Sequence, residues 1–331
     1  MNAPLRAGLI GLGMMGRHHA RVLRQIEGVE LVAVADPAGD PHHVAGELPV
    51  LPDVHALIAE GIDTAMVAVP TIYHEQVALA LADAGVHTMV EKPIAESVVS
   101  GTRVAQAFAD AGLVSAVGHV ERFNPALQEL RRRIERGDLG EIYQITTSRQ
   151  GPFPSRIADV GVVKDLATHD IDLTAWIAQS AYVAVSARTA HRSGREHEDM
   201  VLVTGQLANG IIVNHVVNWL SPKKDRITIV TGAAGAYVAD TATGDLTFHE
   251  NGTTPMQWES VAAFRGVSEG DVTRFALTKR EPLVVEQETF RDAVLGHETD
   301  VVTMAEGLRT LTVAEAVLES AASGRTVDLD T

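Results

Sequence analysis

The stretch GLIGLGMMG, residues 8–16, decides how the chain begins to fold. A short apolar run ends in Gly11-Leu12-Gly13-Met14-Met15-Gly16, and MGRHHARVLRQI (15–26) continues with helical spacing. The order is strand, tight glycine turn, helix. In a GxGxxG turn the first glycine permits the bend, the second lets a pyrophosphate approach the backbone, and the third lets helix and strand pack closely. The free N–H groups of the helix's first turn then face the phosphates. The next strand-like run, ELVAVAD (30–36), ends on Asp36. That is about 20 residues on, where an acidic side chain accepts from the adenosine ribose 2′-OH. Together these features predict a dinucleotide site with Gly11, Gly13, Met14, Met15, Gly16 and Asp36 as contacts. A carboxylate repels a 2′-phosphate, and PAGDPHH (37–43) holds no arginine to bind one. NAD is therefore expected over NADP.

Outward from this motif, strand-like and helix-like runs alternate. HHVAGEL (42–48) reads as helix-like, DTAMVAVP (63–70) as a strand and YHEQVALALADAG (73–85) as a helix. HTMVEKP (87–93) is a strand, SVVSGTRVAQAFADAG (97–112) a helix and LVSAVGHV (113–120) a strand. Continuous Val/Ala/Leu runs indicate strands buried on both faces, as in a parallel sheet, and the alternation is that of a doubly wound α/β fold. Residues 1–120 are read as an N-terminal Rossmann domain.

The pattern then changes. PALQELRRRIERGDLG (125–140) is an amphipathic helix with Leu127, Leu130 and Ile134 on one side, stopping near Gly137. After DLATHDIDLTAWIAQ (165–179) come six β-like runs between 181 and 250, separated by turn pieces such as Asn209-Gly210 and Thr243-Gly244. Two helices near 287–296 and 305–324 close the chain. Residues 121–331 are read as one C-terminal α+β domain on a large, open, mainly antiparallel sheet.

Composition agrees. With 331 residues, 46% of them hydrophobic, the chain is expected to hold about two domains, and its mean hydropathy is +0.07. No apolar run reaches the ~20 residues needed to span a bilayer, and the N-terminus lacks a signal-peptide pattern. Cysteine is absent, which excludes disulfides and thiolate metal sites and fits a reducing compartment. A cytoplasmic protein is expected. The net charge of −16 repels nucleic acid and anionic membranes, so neither is expected as a partner.

Two further motifs carry chemistry. Glu91-Lys92-Pro93 ends a strand of the first domain. Ligands of open α/β sheets bind beyond the carboxyl ends of strands, so Lys92 is placed to reach the nicotinamide region. In DLATHDIDL (165–173), helical spacing puts Asp165, His169, Asp172 and Trp176 in one stripe and Leu166, Leu173 and Ile177 in an apolar one beside it. Asp165 and His169 are then i,i+4 neighbours. A carboxylate beside an imidazole orients it and stabilises its protonated form, as a general acid/base requires. Metal ligation is the rival reading, and no metal is expected. Asp170 has no role in this reading. In GHVERFNP (118–125), Arg122 and Asn124 are candidate substrate contacts. Arg149 and Arg156 fall in a loop-like stretch, SRQGPFPSRIADVGVVKD (148–165), and are candidates for holding a diphosphate.

GLGMMG, VADP, VPTIYHEQVALA, EKP, GHVERFNP and DLATHDIDL, in that order, resemble the Gfo/Idh/MocA oxidoreductase family over essentially the whole chain. GHVERFNP with RIADVGVVKDLATHDIDL is most similar to its branch that oxidises UDP-N-acetylglucosamine at C3. The resemblance implies a catalytic set of Lys92, Asp165 and His169. It implies that Pro70, Thr71, His74, Glu91 and Lys92 line the cofactor, and that Lys92, Asp165 and His169 also meet the substrate. It implies an NAD-dependent sugar dehydrogenase that forms a homodimer or homotetramer through the open sheet. Whether Lys92 or His169 is the base stays open. So do an inositol or free-sugar dehydrogenase, a redox-assisted NAD-dependent glycosidase and a non-catalytic dinucleotide sensor.

Overall fold

The computed structural model describes residues 3–154, 160–252 and 268–329. It divides into two compact units, Met1–Val120 with Glu281–Glu315, and Glu121–Arg280 with Ala316–Thr331. The expectation of one 121–331 domain puts residues 281–315 in the second unit; they lie in the first.

In the first unit, β1 (Leu5–Ile10), β2 (Val29–Ala35), β3 (Val50–Leu51), β4 (Thr64–Val67), β5 (His87–Glu91) and β6 (Ser115–Gly118) form one sheet in the order β3-β2-β1-β4-β5-β6. Every pairing in it is parallel. This is the doubly wound order, which reverses direction between β1 and β4. The period of two along each strand splits the core in two. Ile10, Val67, Val90 and Val117 pack with Leu57 of α2 (Val54–Ala59), Leu81 of α3 (His74–Asp83) and Phe108 of α4 (Val98–Ala111). Leu9, Met66, Met89 and Ala116 pack with Ala20 and Leu23 of α1 (Met14–Leu23) and Phe290 of α7 (Pro282–Val294). Met304 and Leu311 of α8 (Met304–Ser323) join the first of these clusters.

HHVAGEL is a correction. Residues 42–48 form turns, not a helix. The Asp40 carboxylate accepts from Val44 N and Ala45 N at 2.8 and 2.7 Å, which holds the backbone in a turn. The helix begins later at α2, where Asp53 caps Ala56 N at 2.9 Å.

In the second unit, β7 (Ile142–Pro152), β8 (Tyr182–Ala190), β9 (Met200–Leu207), β10 (Ile212–Asn218), β11 (Leu220–Gly232), β12 (Gly235–Asp240), β13 (Asp245–Gly252), β14 (Ser268–Arg274) and β15 (Val327–Asp328) form a nine-stranded sheet. Its order is β14-β13-β12-β11-β7-β10-β9-β8-β15, antiparallel throughout except for the parallel β7–β10 pair. α5 (Pro125–Glu135) packs on β12 and β13, and α6 (Thr168–Ala178) on β7. β7 corrects the reading of residues 148–152 as loop: it is a central strand, with Ile145, Thr147, Arg149 and Gly151 buried on one face. Arg149 therefore points into the interior of the unit.

That interior holds a polar chain. Tyr182 OH bonds Thr174 Oγ1 and lies 2.9 Å from His215 Nε2, while Thr147 Oγ1 lies 2.7 Å from His215 Nδ1. Burial pushes the His215 pKa down to about 4, the Asp170 charge opposing this and Arg149 adding to it. Between the unfolded value of about 6.5 and the folded value, the unfolded chain binds a proton that the folded chain does not. Stability from this residue is present above pH 6.5 and falls by up to about 3 kcal/mol as pH drops toward 4. Urea unfolding of His215→Gln between pH 7 and pH 4 is expected to lose that part of the slope; equal slopes in wild type and variant would contradict it.

Candidate active site

The three glycines of the turn are required for three different reasons. At Gly11 φ is +94°, and a Cβ would lie 2.5 Å from the Ala68 carbonyl, so both conformation and the neighbouring strand exclude a side chain. A Cβ on Gly16 would lie 1.9 Å from Gly11 O, where α1 presses on the turn. Gly13 differs. Its φ of −71° suits any residue, and a Cβ there would meet nothing within 4 Å. Nothing within the described chain demands glycine at 13, and its bare backbone leaves room for a ligand's close approach. Gly13 is the N-cap of α1 with no side-chain cap and no acid in the first turn, so N–H groups are available to an anion. Met14 beside it is 45% exposed, an unusual setting for a large apolar side chain.

Asp36 follows β2 directly. Its Oδ2 accepts from Leu12 N inside the glycine turn at 2.8 Å and its Oδ1 from Ala38 N at 2.8 Å. The carboxylate is fixed to the turn and keeps lone pairs for a ribose hydroxyl. These residues fit NAD: a bare backbone for the pyrophosphate and an anchored acid for the ribose.

Pro70, Thr71 and Lys92 lie on the same carboxyl edge of the sheet, after β4 and β5. Pro70 is exposed and Lys92 half-buried, and the Lys92–Pro93 bond is cis. His74 is not on this surface. It is 1% exposed, with Nδ1 2.9 Å from Pro93 O and Nε2 3.0 Å from Val69 O. Burial lowers its pKa, opposed by those carbonyl contacts and the Glu91 charge, and the ring braces the ends of β4 and β5. Glu91 is buried behind Lys92, with Oε1 2.6 Å from His19 Nε2 and Oε2 accepting from Lys92 N at 3.2 Å.

In the second unit, Asp165 and His169 do not share one α-helix. Val163–Ala167 is a π-helical turn that runs into α6 at Thr168. π turns widen the helix locally and are frequent at functional sites. Asp165 is buried and His169 half-buried. The turn starts where the Glu198 carboxylate accepts from Val163 N at 3.0 Å, and a Cβ on Gly161 would lie 2.0 Å from that carboxylate. α6 buries nearly its whole circumference, not one face. Its other aspartates are paired: Arg122 bonds Asp172 through Nε and Nη2 at 2.7 and 2.6 Å, and Arg149 Nε bonds Asp170 at 2.8 Å. Arg149 Nη1 also bonds Glu121 at 2.8 Å. Burial alone would lower the Arg149 pKa; the Asp170 and Glu121 charges outweigh it, and the net shift is upward.

These pairs account for Asp170, and they engage Arg122 and Arg149 with internal carboxylates. Asn124 is the N-cap of α5, accepting from Ala126 N at 3.1 Å and donating to Thr241 O at 3.0 Å. Arg156 lies outside the described residues. Among the described residues, no three His, Asp or Glu side chains are grouped to hold a metal ion, and no helix is long and apolar enough to cross a membrane.

Comparison with known proteins covers most of the chain in two stretches. Residues 5–119 match the family model described as "Oxidoreductase family, NAD-binding Rossmann fold", and residues 131–329 the one described as "Oxidoreductase family, C-terminal alpha/beta domain". The chain is 29% identical to a UDP-N-acetylglucosamine 3-dehydrogenase of Acidithiobacillus ferrooxidans, over 94% of this chain and 95% of that one. It is 26% identical to scyllo-inositol 2-dehydrogenase (NAD(+)) of Bacillus subtilis, over 100% and 98%. A solved structure of the Acidithiobacillus ferrooxidans enzyme superposes with a TM-score of 0.82 at 26% identity, covering 97% of this chain and 99% of that one.

The glycines separate folding from binding. Gly13→Ala is expected to keep the melting temperature within about 3 °C while NAD affinity falls about tenfold or more. Gly16→Ala is expected to lose about 1–3 kcal/mol of stability. Calorimetry and thermal melts of both variants test this; a Gly13→Ala protein that binds NAD like wild type contradicts it.

Proposed function

The chain belongs to the Gfo/Idh/MocA oxidoreductase family, and we propose that it oxidises a secondary hydroxyl of a sugar to a ketone, with a nucleotide sugar of the UDP-N-acetylglucosamine type as substrate. The observation that carries this reading is that Lys92 and the open glycine turn lie on one carboxyl edge of the first unit's sheet. Similarity to a UDP-N-acetylglucosamine 3-dehydrogenase over 94% of the chain supports the substrate class.

Bound NAD supplies the hydride acceptor. The chain's own residues handle the oxygen and its proton. Lys92 donates to the hydroxyl oxygen and stabilises the negative charge that develops there. His169, half-buried and so within reach of solvent protons, takes the hydroxyl proton as general base, and Asp165 orients it. The reverse assignment, Lys92 as base, keeps the same residues in contact with the substrate. Asp36 sets the preference for NAD by repelling a 2′-phosphate.

One observation favours a second reading. Arg122 and Arg149 are occupied by Asp172, Asp170 and Glu121, so neither stands ready for a diphosphate. An inositol or free sugar needs no such group, and the Bacillus subtilis relative bears an inositol dehydrogenase name. We further propose that the chain self-associates through the outer face of the nine-stranded sheet. Leu202 and Ile212 are 48% and 42% exposed on adjacent strands there. Sedimentation of a Leu202→Glu, Ile212→Glu variant tests that face: a lighter species than wild type is expected, and no change contradicts it.

Lys92→Ala and His169→Ala are each expected to lower turnover about 100-fold or more with NAD binding retained. Near wild-type turnover in both would contradict the mechanism. Initial rates on UDP-sugars, free sugars and cyclitols identify the substrate class; activity on cyclitols alone selects the second reading. Turnover with NADP equal to that with NAD would contradict the role of Asp36.

A further inference from the structure

Behind Lys92 the first unit keeps a polar cluster in its interior. His19 on α1 is 0% exposed, Glu286 and Gln287 on α7 are 1% and 3%, and Glu91 at the end of β5 is 8%. His19 is held at both ring nitrogens, by Glu91 Oε1 at 2.6 Å from Nε2 and by Gln287 Nε2 at 2.6 Å from Nδ1. Glu286 is different. Both of its carboxyl oxygens are buried and neither has a hydrogen-bond partner.

A carboxylate in that position would be among the most unfavourable groups in the unit, because nothing replaces the water it gives up. Burial raises the Glu286 pKa well above the ordinary range, and the Glu91 charge facing it raises it further. Glu91 goes the other way. Burial works against its charge, but His19, Lys92 and His74 outweigh that and hold it ionised. The groups acting on Glu91 come from α1, the end of β5 and α3; Arg21, also on α1, is turned to Glu281 at the exposed start of α7. The two buried acids are thus pushed in opposite directions, Glu286 up and Glu91 down.

We propose that Glu286 is a positioning residue, a neutral buried acid that leaves Glu91 as the single carboxylate behind Lys92 and so sets the upper pH limit of catalysis. The inference rests on the reading of Lys92 as catalytic. While Glu286 holds its proton, Glu91 stays ionised, pairs with His19 and accepts from the Lys92 amide. When Glu286 loses the proton, two negative charges face each other. The cluster then relaxes by displacing the Glu91 carboxylate from His19 and from the Lys92 amide, and Lys92 loses the charge behind it. No other part of the mechanism uses Glu286, and an uncharged side chain would fill its place without this liability.

The sign of the stability effect follows. Above the unfolded glutamate value of about 4.3, the folded chain binds one proton more than the unfolded chain, so this group lowers stability as pH rises toward its folded pKa. Glu286→Gln keeps the size and the neutral state and cannot ionise.

The test compares wild type, Glu286→Gln and Glu91→Gln. In Glu286→Gln the falling alkaline limb of the turnover profile is expected to move up by about one pH unit or more, with KM for NAD unchanged. Its melting temperature should gain on wild type steadily from pH 5 to pH 8. Infrared difference spectra of the NAD-bound proteins at neutral pH should show the C=O band of a protonated acid in wild type and not in Glu286→Gln. Glu91→Gln should lower turnover at least tenfold at every pH. Superimposable pH profiles of wild type and Glu286→Gln, or a wild type without the protonated-acid band, overturn the proposal. The infrared band and the melting series do not depend on turnover. A failure of Lys92 as a catalytic group, seen as an active Lys92→Ala, is therefore distinguishable from a failure of Glu286 to hold its proton.

Discussion

Charges placed in an interior must be matched there, and this constraint shapes both units. In the second unit α6 is buried almost all round yet carries Asp170 and Asp172. Each is matched by an arginine reaching from elsewhere, Arg149 on β7 and Arg122 just before α5. Removing one partner of such a pair leaves a bare buried charge and typically costs about 3–5 kcal/mol. The two pairs tie α6 to a central strand and to the start of the unit. They therefore fix the helix that presents His169, with Asp165 in the π turn just before it. A helix held by apolar contact alone could slide or rotate; one held by a bidentate arginine has a defined register.

The first unit meets the same constraint with protons in place of arginines. Glu91 is matched by His19, and Glu286 by its own proton. Beside them, His74 braces the ends of β4 and β5 between two carbonyls. The edge where Lys92 stands is thus built on buried polar groups. Gly13 shows the complementary device: a position left bare where no atom of the chain competes for the space.

The first unit was largely legible in the sequence because its strands are continuous apolar runs and its turn needs glycine for steric reasons. What escaped was short or capped by one residue. β3 is two residues long, too short to show a period, and the Asp40 carboxylate replaces an expected helix with turns. In the second unit β7 escaped because its buried face carries Thr147 and Arg149 and its other face Gln144, Thr146 and Ser148, so polarity does not alternate. Reading Arg149 as a loop residue came from the same gap, and the ion pairs of Arg149 and Arg122, 21 and 50 residues apart in sequence, leave no local signal. The cluster of His19, Glu91 and Glu286 is legible only in three dimensions, its members lying 72 residues and more apart. By contrast the placement of Asp36, Lys92 and the glycine turn was readable, because each sits at a strand end that the fold class already defines.

The central claim is that the chain moves a hydride from a sugar carbon to NAD while its own side chains move only the hydroxyl proton. The most direct measurement uses the preferred sugar carrying deuterium on the oxidised carbon. The account predicts a slower turnover with the label and its full recovery on the nicotinamide ring of the reduced cofactor. Deuterium released into water, with none on the nicotinamide, would contradict it.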